Sequence, residues 1–596
     1  MDYSSLGLRI GLEIHQQLAS GKKLFCDCPV PSTTDNKNDN FPIEIRRKLR
    51  PVAGETGDVD IAALHEFLRD RIFVYRTSIE SSCLVETDEQ PPKPLNTRAL
   101  EIAMQICKLL NCKILDEVHV MRKTVIDGSS VSGFQRTAFL GMNGYIDTTL
   151  GKIGVKSISL EEDSAAPVEK NEGYVEYRLD RLGIPLVEIA TTSDIKSPSH
   201  AKEVAEEIGL LLRSTGVVRG IGSVRQDINI SIEKGSRIEI KGFQDLDKIP
   251  EVIENEIQRQ LSLAEIKDEL LRRGAKPFDA DFRIVTHLFH GTECSFIKKS
   301  LEKGATVIAG KLPLFDGLLK KQCGNSTFGK ELSCYAEVFG YGITHSDEDL
   351  EKYRLVNEFP LLKNELNAGE RDVIFIIAGS NPINAVNLVI RRANHCLIGV
   401  PEETRVADGI GSRFTRPLPG AGRMYPESDI PPIKLAKKYI DSIKIPKTLS
   451  EIRKELEKEM PKELALQIVR SHYFKEFESL SKNYDKTLAA TVFTSYFKDL
   501  SRRGIDVSSI RTDDIEKILS AVKEGSVPKD AVLHALEKLA SGENIVKILA
   551  SYHSISNAEI ISIVKEAVAQ NPGKKESVIM GIVMQKFRGR ASGDKV

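Results

Sequence analysis

No stretch of this 596-residue chain stays apolar over the ~20 positions that a membrane-crossing helix requires. The first residues, Met-Asp-Tyr-Ser-Ser, lack the basic region and apolar core of a signal peptide, so the expected location is the cytoplasm. The nine cysteines show no disulfide-framework spacing, which fits a reducing compartment. No G-x-x-x-x-G-K-[ST] loop occurs and no G-x-G-x-x-G opens a helix after a strand, so neither an ordinary P-loop ATPase nor a dinucleotide fold is expected. Also missing are a Gly-Gly-Ser-Ser segment, a Thr-Gly-Gly-Thr segment and a cysteine elbow, and with them any activated nucleophile able to free ammonia from an amide. Internal repeats and low-complexity segments are absent. A net charge of -1 excludes neither nucleic acid nor protein as a partner, because a local basic patch hides easily in a balanced total.

What is present is enough apolar residue, 41%, for several soluble cores. The densest carboxylate constellation runs from Ser159 to Ile189. Glu161, Glu162 and Asp163 end an alternating run that includes Ile153 and Val155. Leu182, Ile184 and Leu186 alternate as one face of a strand, so Glu188 falls where the next apolar residue belongs. Carboxylates gathered in this way repel unless metal, protons or arginines neutralise them. A metal site and a sheet salt-bridged through Arg178 and Arg181 are the two readings.

Nearer the start, Leu6, Leu8, Ile10, Leu12 and Ile14 form one strand face, and Arg9, Gly11, Glu13 and His15 share the other. Glu13 and His15 therefore point the same way, about 6–7 Å apart, within reach of one ion or one ligand. Cys26-Asp-Cys28 invites zinc, but no second close cysteine pair follows, so no zinc is expected. Residues 30–50 are polar and basic, either a phosphate-facing loop or a solvated one. Asn96 caps a helix over Ala99–Leu110, and Gly128 to Arg136 is a small-residue loop, either a phosphate cradle or a turn. Val224–Ile232 and the segment after Glu233-Lys-Gly235 form a hairpin. With Gly235 left-handed, Ile230 faces Ile238, Ile228 faces Ile240, Asp227 faces Lys241 and Asn229 faces Glu239. This polar face is either a nucleotide floor or a set of exposed salt bridges.

Pro250–Arg273 reads as a long helix ended by Gly274, after which residues 276–405 hold strands and helices enough for an inserted module. The Gly/Pro-rich stretch from Arg416 to Pro432 mixes charge and rigid turns as a plain linker rarely does. From Lys434 the chain is helical. Its last 26 residues hold Lys574, Lys575, Lys586, Arg588, Arg590 and Lys595 against Glu576 and Asp594, with Phe587 among them, either an RNA-backbone contact or a solvated tail.

Five ordered motifs resemble the B/E family of tRNA-dependent amidotransferase subunits: Gly11-Leu-Glu-Ile-His15, Leu24-Phe-Cys-Asp-Cys28-Pro, Leu160-Glu-Glu-Asp163, Arg181 to Ile189, and Arg225-Gln-Asp-Ile-Asn-Ile-Ser231. The insertion resembles that of bacterial-type aspartyl-tRNA synthetases and marks the E branch. Members of the B branch often complete a zinc site with a second cysteine pair, where Arg50 to Asp60 stands here. The implied architecture is α+β and multidomain: a mixed/antiparallel-sheet cradle (1–275 plus 406–433), the synthetase-like module (276–405), an all-helical domain (434–530) and a small helical tail binding tRNA (531–596).

The resemblance implies an ATP-dependent activity that phosphorylates the glutamyl side chain of Glu-tRNA(Gln) and amidates it to Gln-tRNA(Gln). It implies Mg²⁺ on His15, Glu161 and Glu188, with Glu13 as a fourth member and Glu162 as a substitute for Glu161. Arg225, Asp227, Asn229 and Lys241 then make a catalytic nucleotide and acyl-phosphate floor, with Arg225 and Lys241 on the ATP. Ammonia is expected from an asparaginase-like D partner in a heterotetramer of two D and two E subunits, with tRNA(Gln) as the other partner. A B-type subunit and a non-catalytic tRNA-binding protein are the alternatives. An aminoacyl-tRNA synthetase is opposed by the lack of His-Ile-Gly-His and Lys-Met-Ser-Lys-Ser, and by an incomplete glycine/arginine motif at Gly409-Ile-Gly-Ser-Arg413.

Overall fold

The computed structural model describes residues 2–31, 41–54, 57–170, 173–220, 222–552 and 557–586. The chain divides into two compact units, residues 1–446 and 447–596.

The first unit is built on an eleven-stranded mixed sheet. Its principal strands are β1 (Arg9–Gln17), β2 (Val120–Thr124), β3 (Phe134–Thr148), β4 (Gly151–Glu162), β5 (Pro185–Thr191), β6 (Val224–Ser231), β7 (Ile238–Phe243), β8 (Glu403–Asp408), β9 (Gly411–Pro417) and β10 (Met424–Pro426). They lie in the order β9-β8-β7-β6-β1-β5-β4-β3-β2-β10. Ile10, Leu12, Ile14, Ile158, Leu160, Val187, Ile189, Ile228 and Ile230 turn one face of the central strands into the core. Helices Thr97–Leu109, Pro198–Arg213 and Ile249–Arg272 pack there. Each buried aliphatic side chain stabilises by about 1.5–3 kcal/mol, so this face fixes the strands while the opposite face is free to carry charge.

The strand pattern was sound from Ile10 to Ile14, but Leu6 lies in a turn and Leu8 precedes β1, which starts at Arg9, and Leu182 and Ile184 lie in the turn before β5, which starts only at Pro185. The hairpin has the expected register, Ile228 opposite Ile240 and Ile230 opposite Ile238. Its glycine works differently from the expectation: Gly235 is not left-handed, and a Cβ there would meet the Gln260 side chain at 1.8 Å. The left-handed glycine is Gly242, φ +94°, beside the irregularity between Gln226 and Ile228. Asn96 caps Thr97–Leu109, and Gly274 (φ +80°) ends the long helix, as expected.

Within the insertion, Phe282–Ile284, Thr306–Leu312, Val373–Gly379 and Thr344–His345 form a separate four-stranded sheet with its own apolar cluster. The chain rejoins the large sheet at β8, parallel to β7. The Gly/Pro-rich stretch then closes the far edge, where β10 pairs with β2. The second unit is helical among its described residues, opening with a capping box at Thr448 and Glu451. Lys574 and Lys575 are exposed there, whereas Phe587, Arg588, Arg590, Lys595 and the side chain of Lys586 lie outside the described residues. No helix among the described residues is long and apolar enough to cross a membrane.

Candidate active site on the polar face of the large sheet

Cross-strand register assembles the site. His15 on β1 lies opposite Glu188 on β5 and Arg225 on β6, while Glu13 lies opposite Asp227. Thr137 on β3 faces Glu161 on β4, and Lys123 on β2 faces Gln135. Directly opposed residues share a face, so these side chains converge on the side turned away from the core. His15 Nδ1 sits 3.8 Å from Glu161 Oε2 and 3.8 Å from Glu188 Oε2, and Nε2 sits 3.8 Å from Asp227. The Nδ1 atom is buried with no hydrogen-bond partner. Neutral imidazole has one lone pair, so His15 can ligate at only one of its nitrogens. The orphaned Nδ1 between two carboxylates is the nitrogen placed for a cation.

The expected metal set thus divides. His15, Glu161 and Glu188 form one three-ligand cluster, and Glu13, His15 and Asp227 form a second that shares the imidazole. Glu13 accepts a 3.1 Å hydrogen bond from Asn229. Burial, reinforced by Glu188 and Glu239, pushes its carboxyl above the usual range. Glu162 does not substitute for Glu161. Alternation turns it to the other face, where it accepts from the Arg136 backbone N–H at 3.0 Å and pairs with the Arg136 guanidinium at 3.5 Å.

Lys123 escaped the sequence reading and is the principal addition. Its ammonium lies 2.6 Å from Glu161 and 3.2 Å from Glu188 with only 16% of the side chain exposed. It binds Glu161 Oε1, while Oε2 faces His15, so the carboxylate can serve both neighbours. Burial opposes the charge of Glu188, yet Lys123 and His15 outweigh it and hold its carboxyl well below the ordinary range. Burial likewise disfavours the Lys123 ammonium, and Glu161 and Glu188 more than restore it. Behind Lys123, Glu427 of the returning stretch accepts from Arg122 and Arg136, which fixes β10 against the site.

The four hairpin residues fall on the same face but are already engaged. Lys241 pairs with Asp227 and Glu239, each at 2.7 Å. Arg225 approaches Asp163 at 3.5 Å, and Asp163 is also bound by Arg181 at 2.6 Å. A cleft of about 640 Å³ opens beside Glu13, Glu188 and Asn229, and its cations are Arg9, Lys156 and Arg237 instead of Arg225 and Lys241. Among the described residues none of those three is ion-paired, so their charges are available to a polyanion entering the cleft although Glu13 and Glu188 also line it. Arg9 and Arg237 stood on the expected polar faces; alternation gives the face of a cation but not which acid has already claimed it. The small-residue loop spends its polar groups internally, Ser129 on Asp127 and Ser130 and Ser132 on the Phe134 carbonyl.

The cysteine pair has company that local spacing did not show. Cys83 and Glu86, distant in sequence, come together with Cys26 and Cys28.

Comparison with known proteins supplies the family. A model described as "GatB/GatE catalytic domain" matches residues 8–441, and one described as "GatB domain" matches residues 473–596. The chain is 42% identical to the E subunit of glutamyl-tRNA(Gln) amidotransferase from Methanocaldococcus jannaschii, over all of this chain (100%) and 98% of that protein. It is 40% identical to the proteins of the same name from Methanococcus maripaludis (99% and 97% covered) and Sulfolobus acidocaldarius (100% and 97%).

Proposed function

The chain belongs to the GatB/GatE family of amidotransferases, and from that membership we propose that it converts Glu-tRNA(Gln) to Gln-tRNA(Gln) by ATP-dependent activation of the glutamyl side chain. A carboxylate is a poor electrophile. Its oxygen attacks the γ-phosphorus of ATP, ADP leaves, and the resulting acyl phosphate loses phosphate when ammonia adds and gives up a proton.

The observation that carries the reading is the orphaned His15 Nδ1 facing Glu161 and Glu188, the latter also lining the cleft that holds Arg9, Lys156 and Arg237. His15, Glu161 and Glu188 would hold Mg²⁺, with Glu13 and Asp227 as outer partners. Bound there, the ion would supply charge neutralisation and orientation for the phosphates. Arg9, Lys156 and Arg237 receive the polyphosphate. Lys123, shared between Glu161 and Glu188, is poised to turn toward negative charge developing at the reacting phosphoryl group. Asp227 and Glu239 hold Lys241 as a fixed wall of the site, and Asn229 orients Glu13.

Ammonia comes from an asparaginase-like D partner in a heterotetramer of two D and two E subunits; the missing nucleophile motifs support this division of labour. The exposed Lys574 and Lys575 begin the basic end assigned to tRNA. The test is ADP formation by the purified chain. It should require Glu-tRNA(Gln) and Mg²⁺ and ignore free glutamate. ADP formation that tracks free amino acid would indicate a synthetase, and tRNA binding without ADP formation a non-catalytic binder.

A further inference from the structure

The insertion meets a second, smaller sheet of the first unit, in which Ile43–Arg47, Ile72–Thr77, Tyr174–Arg178 and Ala166–Lys170 lie side by side in that order. A cavity of about 510 Å³ opens where one end of this sheet faces the insertion. Arg69 and Arg71 line it just before the second of these strands, and Lys170 lines it at the end of the fourth. The Ile72 N–H donates to Gly173 O at 2.9 Å, which holds those ends together. The insertion contributes Tyr341, together with Asn381 and Asn384 at the start of helix Ile383–His395. No residue is shared with the cleft of Arg9, Lys156 and Arg237.

Charge is unbalanced here in the sense opposite to that of the large sheet's polar face. Glu66 pairs with Arg69 at 2.8 Å, Asp70 with Lys48 at 2.6 Å, and Glu337 with Lys330. Among the described residues no ion pair reaches Arg71 or Lys170. Burial and then Arg69 lower the pKa of Arg71, and burial, Arg71 and Arg69 lower that of Lys170, with Glu66 offsetting only part. The Arg69 Nε is buried with no partner, while Nη2 donates to Val338 O at 3.0 Å. On the insertion side, helix Ile383–His395 starts with no side-chain cap, so the N–H groups of its first turn lack intrahelical partners. The neighbouring end of helix Phe328–Glu337 spends its carbonyls: Ala336 O accepts the Phe339 N–H, Glu337 O the Gly340 N–H, and Val338 O the Arg69 guanidinium.

We propose that this cavity binds a phosphate group between Arg71 and Lys170 on the small sheet and the N-terminus of helix Ile383–His395 on the insertion. A phosphate monoester carries about −1.5 to −2 charge at neutral pH, which Arg71 and Lys170 balance. Guanidinium and ammonium supply charge-assisted hydrogen bonds to its oxygens, and the helix terminus adds backbone N–H groups and the positive end of the peptide dipole. Arg69, already tied to Glu66 and Val338, is the fixed wall beside them. A free phosphate ester and a phosphodiester of RNA present the same kind of oxygen. Either one, once bound, clamps the insertion to the small sheet, since the residues around the cavity come from both.

The test uses the full chain in chloride buffer, titrated with inorganic phosphate by calorimetry and with unacylated tRNA(Gln) by filter binding. In Arg71→Gln/Lys170→Gln, one phosphate per chain should bind about tenfold or more weakly than in wild type. Because that variant relieves like-charge crowding, its melting temperature should not fall. Asn384→Asp should weaken phosphate binding too, although an acid in the first helical turn favours the fold, so loss of binding and loss of stability are read apart. Phosphate binding lost with tRNA binding unchanged makes a free phosphate ester the ligand. A tRNA affinity that falls in the double variant, with a salt slope reduced by about 1 for each cation removed, makes the ligand the RNA backbone. Phosphate affinity and tRNA salt slope both unchanged in the double variant would overturn the proposal. So would phosphate binding that Arg9→Gln/Arg237→Gln abolishes entirely, since it would then belong to the cleft on the large sheet.

Discussion

Two charged clusters in the first unit are both largely buried, and they differ in balance. At the seam between the insertion and the large sheet, Glu256, Glu331 and Glu403 meet Arg259, Arg392 and Arg405 through ion pairs of 2.6–3.6 Å. Three acids face three bases. Burial opposes the charge on Glu331, but Arg405, Arg259 and Arg392 outweigh it and hold its carboxyl well below the ordinary range. On the polar sheet face the described ion pairs of Glu161, Glu188, Asp227 and Glu239 run to Lys123, Lys241 and one imidazole, with buried Arg423 adding its charge near Glu161 and Glu239, while Glu13 has no ion pair among the described residues. The deficit falls on Glu13, whose carboxyl is pushed up where that of Glu331 is held down. A balanced buried network is satisfied as it stands; an unbalanced one is completed by a ligand.

The largest effect expected from this contrast is on Glu188→Gln. The amide keeps shape but removes one charge from a divalent site, so Glu-tRNA-dependent ATP hydrolysis should fall by at least ~10²-fold while the melting temperature stays near wild type. Near-normal activity at low magnesium would remove the metal assignment. Glu331→Gln should do the reverse. Stranding buried guanidiniums costs about 3–5 kcal/mol in denaturant unfolding, whereas the magnesium dependence of the surviving activity should not move.

Lys123→Met separates the roles of the two cations on that face. Removing the ammonium from Glu161 and Glu188 should tighten Mg²⁺ binding, measured by calorimetry, and yet lower kcat about tenfold or more. Tighter binding with unchanged kcat would reduce Lys123 to a counterion.

A smaller effect is a pH dependence. Because the Glu13 pKa is raised on folding, the folded state binds more protons than the unfolded state as pH passes upward from the ordinary glutamate range. This contribution to stability is therefore present below that range and lost as pH rises through the folded pKa. Glu13→Gln should remove that slope from the metal-free protein, as seen in urea midpoints across pH, and Mg²⁺ should flatten it in the wild type. Identical slopes in both proteins would contradict the charge deficit.

Truncation after Asn571, which removes six basic and two acidic residues, should have the smallest effect: weaker tRNA binding and a flatter salt dependence, with the ADP-forming site intact. Unchanged affinity and salt slope would mark this end as merely solvated.

What the sequence disclosed follows from period-two geometry. Alternation put Glu13 and His15 on one face and the hairpin register placed Asp227 beside Lys241, but Glu188 was read in line with Leu182, Ile184 and Leu186, whereas Val187 and Ile189 are the residues of its strand that enter the core. The same rule would have separated Glu161 from Glu162, adjacent residues that must point apart. Lys123 was hidden because its strand has only five residues and reaches Glu161 across β3, a pairing no local pattern encodes. Cys83 and Glu86 were hidden in the same way, since two turns meet only after the chain has folded. Arg225 and Lys241 were legible as cations, but their engagement by Asp163, Asp227 and Glu239 was not.

The division between activating the carboxylate and supplying ammonia is tested most directly by giving the isolated chain Glu-tRNA(Gln), ATP, Mg²⁺ and a high concentration of ammonium. Gln-tRNA(Gln) should form, faster as pH rises and more of the ammonium becomes free ammonia, and should not form when glutamine or asparagine replaces ammonium until the partner is added. Transfer of nitrogen from glutamine by the chain alone would contradict the account.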